Sequence, residues 1–165
     1  MGRGNLYSFA YSYFWIHLSF ISEEFNQKNR RSILQKGDVL LVQSGDIGNS
    51  AIVDDDHVGH NCHALIVMTP LKEKLNGHYL SIFFSSPEGR TKAIKIQTGM
   101  TLKHLNCRDV KKMIVPLPPL AEQHRIVAKV DALMALCDQF EARLKERAGV
   151  QSKFTDAVVM KVGSE

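Results

Sequence analysis

A chain of 165 residues with 44% apolar and 23% charged side chains is long enough to bury a core and too apolar to remain disordered. Its net charge of +4 is unevenly placed: residues 90–112 hold seven basic side chains against the single acid Asp109, whereas residues 21–70 sum to −3. The cysteines Cys62, Cys107 and Cys137 have no paired spacing, which excludes a disulfide framework and points to reduced thiols in a cytoplasmic setting.

The opening stretch "FAYSYFWIHLSFI" (9–21) is aromatic but too short to span a bilayer, and no small-residue cleavage site follows it. Tyr7, Phe9, Tyr11, Tyr13 and Trp15 alternate like one face of a strand, so core or interface is the default. Next, "KGDVLLVQSGDIGNSAIVDDD" (36–56) reads as strand, turn, strand, with Val39–Gln43 and Ala51–Val53 as the strands and Gly45 and Gly48 bracketing the turn. "CHALIVM" (62–68) predicts a third strand. Leu80, Phe83 and Phe84 fall at helical spacing and predict a helix over 78–86, with a second short helix after Pro87. Ala93–Gln97 alternates like a strand, 98–106 reads as a loop, and Asn106 stands as a helix N-cap. Met113–Leu117 reads again as a strand.

The prolines Pro116, Pro118 and Pro119 then hold the chain extended, and Pro119 suits a first helical position. From there Ile126, Val130, Leu133, Cys137, Phe140 and Leu144 recur at alternating spacings of four and three. This is a coiled-coil seam, which predicts a helix over 121–147 pairing with a second helix, from a copy of the chain or from another subunit. Val127, Met134 and Leu136 add a second apolar flank. The seam lapses beside Gly149 and resumes weakly at Phe154 and Val158. The expected fold class is α+β: a small mixed domain of short elements followed by a long C-terminal coiled-coil-type helix. The expected divisions are an aromatic segment 1–20, a domain 21–117, the helix 118–148 and a weakly helical tail 149–165.

Two loops offer polar groups for recognition. The basic segment supplies Lys92, Lys95, Lys103, Arg108, Lys111 and Lys112 for phosphates, because neutralising a phosphate releases counterions. Beside them Gln97, Thr98, Thr101, His104 and Asn106 have the donors and acceptors that read base edges. The turn residues Gln43, Ser44, Asp46, Asn49 and Ser50 form the second candidate. Against these stand two plain readings, a solubilising basic face and an ordinary hairpin turn rich in Gly, Asp and Asn. His57, His60, Cys62 and His63 cluster without the spaced pairs that a structural zinc site favours, so no metal is assigned. "SGDIGNSA" lacks the lysine of a phosphate-binding loop.

Residues 98–144 resemble the specificity subunit of type I restriction–modification enzymes. The resemblance rests on Gly99, Thr101, Leu105 and Asn106, on Ile114-Val115, on "PLPPL" at 116–120, and on Glu122-Gln123 and Ile126-Val127. Upstream, Gly37, Asp38, Gly45, Ile47 and Gly48 match that family's hairpin. The resemblance covers about residues 22–147, with one recognition domain and one long helix where the family has two of each, so a truncated or split form is expected. It implies a target recognition domain that reads one half of a bipartite double-stranded DNA site. The helix would set spacing and dock methyltransferase and restriction subunits. The chain itself would be non-catalytic and bind no cofactor, while the partner subunits would use S-adenosylmethionine, ATP and Mg2+. Two alternatives stay open. One is an assembly adaptor that binds methyltransferase subunits without reading DNA; the other is a DNA methyltransferase fragment. "PLPPL" lacks the preceding Asp or Asn and the following aromatic that adenine methylation chemistry needs.

Overall fold

A computed structural model describes residues 20–63, 65–99 and 103–162, with side chains described as far as Val150. The aromatic alternation of 7–15, Thr101, and the side chains of Phe154 and Val158 lie outside the described residues. The fold is α+β, with a three-stranded antiparallel sheet ordered β2-β1-β3, where β1 is Val39–Val42, β2 is Ser50–Ile52 and β3 is Leu65–Met68. A short helix α1 (Glu23–Lys28) precedes the sheet, started by Ser22, whose hydroxyl accepts from the Phe25 N–H.

The central strand is apolar on both faces because both are covered. Val39 and Leu41 point into the main core with Ile66, Leu80, Phe83, Phe84, Leu105 and Val110. Leu40 points the other way, to a smaller cluster with Leu34 and Val53. This period-two division is what the run "VLLV" dictates.

Two helices cover the main face. α2 (Gly77–Ser85) is capped by Asn76, whose side chain accepts from the Tyr79 N–H. α3 (Pro87–Lys95) is capped by Ser86, which accepts from the Gly89 N–H, with Pro87 opening the helix. The strand expected over Ala93–Gln97 is therefore absent through Lys95. Gly89 and Ala93, one helical turn apart, are buried where α3 meets α2. A Cβ at Gly89 would stand 2.0 Å from the Phe83 carbonyl oxygen, so this close approach requires glycine. Ile94 and Ile96 supplied the misleading alternation, yet Ile94 is exposed.

A one-turn helix α4 (Cys107–Val110) follows Asn106, which holds the N-cap position without a side-chain cap bond; its amide instead donates to Thr98 Oγ1 at 2.9 Å. The strand expected over Met113–Leu117 is also absent. The segment alternates only over its first three residues, with Met113 and Val115 on the core and Ile114 exposed, and the pattern breaks at the exposed Leu117; no neighbouring strand among the described residues pairs with it. Side chains take its carbonyls: Lys92 Nζ donates to Ile114 O at 3.2 Å and Tyr79 Oη to Pro116 O at 3.0 Å. Prolines at 116, 118 and 119 remove the donors a ladder would need.

The long helix α5 runs Leu120–Val162, 43 residues, or about 65 Å. It starts one position later than Pro119 was expected to: the Pro119 carbonyl accepts the N–H groups of Glu122 and Gln123. It also continues through Gly149 rather than ending near residue 148. Its first turns pack on α2. Ile126, Val127, Val130 and Met134 are half-buried, whereas Leu133, Cys137, Phe140 and Leu144 are exposed.

Candidate nucleic-acid interface

The turn between β1 and β2 is held from inside and from behind. Ile47 is buried in the core. Val42 N–H donates to Asn49 O at 3.0 Å, and Asn49 N–H to Asp46 O at 3.2 Å. Gly48 has φ +97°, and a Cβ there would lie 2.6 Å from Arg90 Cγ. That space lets the Arg90 stem cross the turn and its guanidinium donate to Asn49 Oδ1 at 2.6 Å. Arg90, one of the seven bases of the basic segment, thus braces the turn.

The second loop meets this turn at His104. Thr98 and His104 exchange main-chain hydrogen bonds of 3.0 and 2.9 Å, and Leu105 N–H donates to Gln43 O at 2.8 Å. Ser44 pairs with His104 as an isolated bridge. Leu105 is fully buried and plugs the loop into the core. The two stretches singled out separately in the sequence therefore adjoin along Ser44, His104 and Thr98. Asp46, Ser44 and Thr98 are exposed there; Gln43, Asn49, Gln97 and His104 are half-buried.

Four cations emerge from the segments leading into and out of this clasp: Lys95 at the end of α3, Lys103, Arg108 on α4 and Lys111 after it, all exposed. None of the four forms a salt bridge among the described residues. Lys112 instead pairs with Asp109 at 3.5 Å.

Two candidates do not belong to this face. Ser50 is buried in β2, where its hydroxyl lies 2.8 Å from Ser81 Oγ. It closes the contact between sheet and α2 and presents nothing to solvent. The Lys92 ammonium pairs with Glu88 at 2.7 Å, donates to Ile114 O and lies 5.5 Å from the centre of the Phe83 ring. It ties α3 to the proline segment. Both were assigned by residue type, which carries no information about burial.

Gln123 enters the sequence reading only through the family resemblance, and its structural role was missed. It is completely buried; its Oε1 accepts from Asn76 N–H at 2.8 Å, and its Nε2 donates to Lys74 O at 2.8 Å and Pro118 O at 2.9 Å. Beside it Asn76 Nδ2 lies 3.2 Å from His124 Nδ1. Burial holds the His78 imidazole below its ordinary pKa, with Asp131 on α5 acting in the opposite sense. The sequence signal was a polar Gln among the first turns of an amphipathic helix, directly after three prolines.

Elsewhere, burial raises the pKa of Cys62, opposed by a hydrogen bond with the Leu65 backbone. His57 bonds to Asp54 and stacks edge-on with His60, their ring centres 5.5 Å apart. Among the described residues no three His, Cys, Asp or Glu side chains gather as a metal site. No helix among them is long and apolar enough to cross a membrane.

Comparison with known proteins places this geometry in a family. The type I restriction modification DNA specificity domain matches residues 3–148. The chain is 31% identical over 145 residues to the EcoBI specificity subunit of Escherichia coli, covering 88% of this chain and 31% of that protein. A putative type I restriction enzyme specificity subunit from Haemophilus influenzae is 30% identical over 120 residues, covering 72% and 30% respectively. In structure the chain is similar to the HsdS subunit from Thermoanaerobacter tengcongensis, with a TM-score of 0.60 at 27% identity over 74% of this chain and 32% of that one. It spans about a third of the length of the curated relatives it matches. The chain belongs to the type I restriction modification DNA specificity domain family.

Proposed function

We propose that this chain is a DNA sequence-recognition module of a type I restriction–modification system, reading one half of a bipartite site and catalysing no step itself. The observation that carries the reading is the junction at His104, where two polar loops adjoin and four exposed cations flank them. Phosphate contacts from Lys95, Lys103, Arg108 and Lys111 would hold register. Gln43, Ser44, Asp46, Asn49, Gln97, Thr98, Thr101 and His104 are the candidates for base edges. The family of specificity domains supports this division.

The exposed stripe of Leu133, Leu136, Cys137, Phe140 and Leu144 is the docking edge for a helical partner. That partner is a methyltransferase or restriction subunit, or a second copy of the chain. Methyl transfer and cleavage, with S-adenosylmethionine, ATP and Mg2+, fall to those subunits, and the setting is cytoplasmic.

Filter binding to double-stranded DNA of varied sequence, titrated with salt, tests the reading. Four phosphate contacts predict a loss of about two orders of magnitude in affinity between about 50 and 200 mM salt, with one sequence class preferred at every salt. A flat salt response with no preference would leave the adaptor alternative, provided the methyltransferase subunits still co-purify.

A further inference from the structure

Among the described residues four polar side chains are buried, Asp38, Ser50, Ser81 and Gln123, and only Gln123 stands on α5. Its amide reaches back across 47 and 49 residues of sequence to the turn that precedes α2, and across 5 to the proline segment. Both ends of the amide are used: the oxygen by one backbone N–H, the nitrogen by two carbonyls. Apolar contact between helices tolerates sliding and rolling, because dispersion and burial are non-directional. A buried, fully satisfied amide is directional, since any rotation of the helix orphans groups that water cannot reach.

We propose that Gln123 is a positioning residue that fixes the angle between the domain preceding the prolines and α5. Through that angle it sets where the reading loops stand relative to whatever the helix carries. The second step rests on the DNA-reading function proposed above; the first does not. Tyr79, bonded to Pro116 O, and Asn76, beside His124, support the same junction from α2 and its cap. The lever is long. Cys137 lies fourteen residues beyond Gln123, about 21 Å along the axis, so a tilt of about 10° moves it by about 4 Å. One base pair of B-DNA rises about 3.4 Å.

The chain carries its own reporters, since Cys107 and Cys137 are both exposed. In a Cys62→Ala background, spin labels on these two thiols report the angle by pulsed electron resonance, with labelled chain diluted into unlabelled chain so that only distances within one molecule are read. The expected result is a single narrow distance for the parent, unchanged from about pH 5 to about pH 8. That control covers His78, His124 and Asp131, which share the junction. Gln123→Met should broaden or shift the distance by several ångströms while helix content by circular dichroism holds. Gln123→Glu should be broad at about pH 8, where a carboxylate faces two carbonyls without a donor, and narrower at about pH 5, where the single O–H of the protonated acid again donates to one of them. That acid-dependent rescue is a readout a generic packing role would not give. If Gln123→Met does not fold, the Glu variant at two pH values carries the test alone. An unchanged narrow distance in folded Gln123→Met, or a Glu variant indifferent to pH, overturns the proposal. DNA binding does not enter the measurement, so a failure here is separable from a failure of the recognition reading.

Discussion

At Gly48 two demands meet: a left-handed backbone with φ +97° and room for Arg90 Cγ, 2.6 Å from where a Cβ would stand. Either alone would be tolerable to a compact side chain with some strain; together they exclude one. Gly48→Ala is expected to cost about 1–3 kcal/mol, measured by urea denaturation, and to release the Arg90–Asn49 bond. Arg90→Met separates the two effects. It keeps the stem against the turn and removes only the guanidinium, so it should loosen the turn in hydrogen exchange with a smaller loss of stability. A cation that the sequence contributes to the charge of the basic segment acts here as internal bracing.

The strands and α2 were legible in the sequence because their signals are local: β-branched runs, glycines at turn positions, and Leu80, Phe83 and Phe84 on one helical face. α3 was half-legible. Ser86 and Pro87 announce its start, but Ile94 and Ile96 mimic a strand, and nothing local reveals that Gly89 and Ala93 must meet α2. Both loops of the candidate interface could be picked out by turn chemistry and charge, yet their junction at His104 could not, since it depends on pairing across some 60 residues, from Ser44 to His104. The buried role of Gln123 was hidden for the same reason, since two of its partners lie 47 and 49 residues away. In α5 the helix was legible from its periodic stripe, but the stripe divides: Ile126 and Val130 are half-buried where the first turns meet α2, and the members from Leu133 to Leu144 are exposed. Leu133 and Phe140 are 50% and 60% exposed, so Leu133→Lys with Phe140→Lys should change the chain's own stability by about 0.5 kcal/mol or less. The same pair should abolish association with a helical partner, read by sedimentation and by co-purification with methyltransferase subunits.

Across the whole molecule charge and grease are segregated. Residues 121–147 of α5 are neutral, with five acids and five bases, while the basic excess sits in residues 90–112. Neutralising Lys95, Lys103, Arg108 or Lys111 to Gln should each lower the slope of log affinity against log salt by about 0.9. Lys92→Gln should leave that slope unchanged, because its ammonium is already engaged by Glu88 and the Ile114 carbonyl. The clasp between Thr98 and His104 consists of main-chain bonds, which any residue except proline can make. Apart from Gly99, whose φ of +108° favours glycine, selection is thus free to rewrite the side chains between those two posts without first solving a folding problem, and a lineage carrying this scaffold can drift to new targets while its framework stays still.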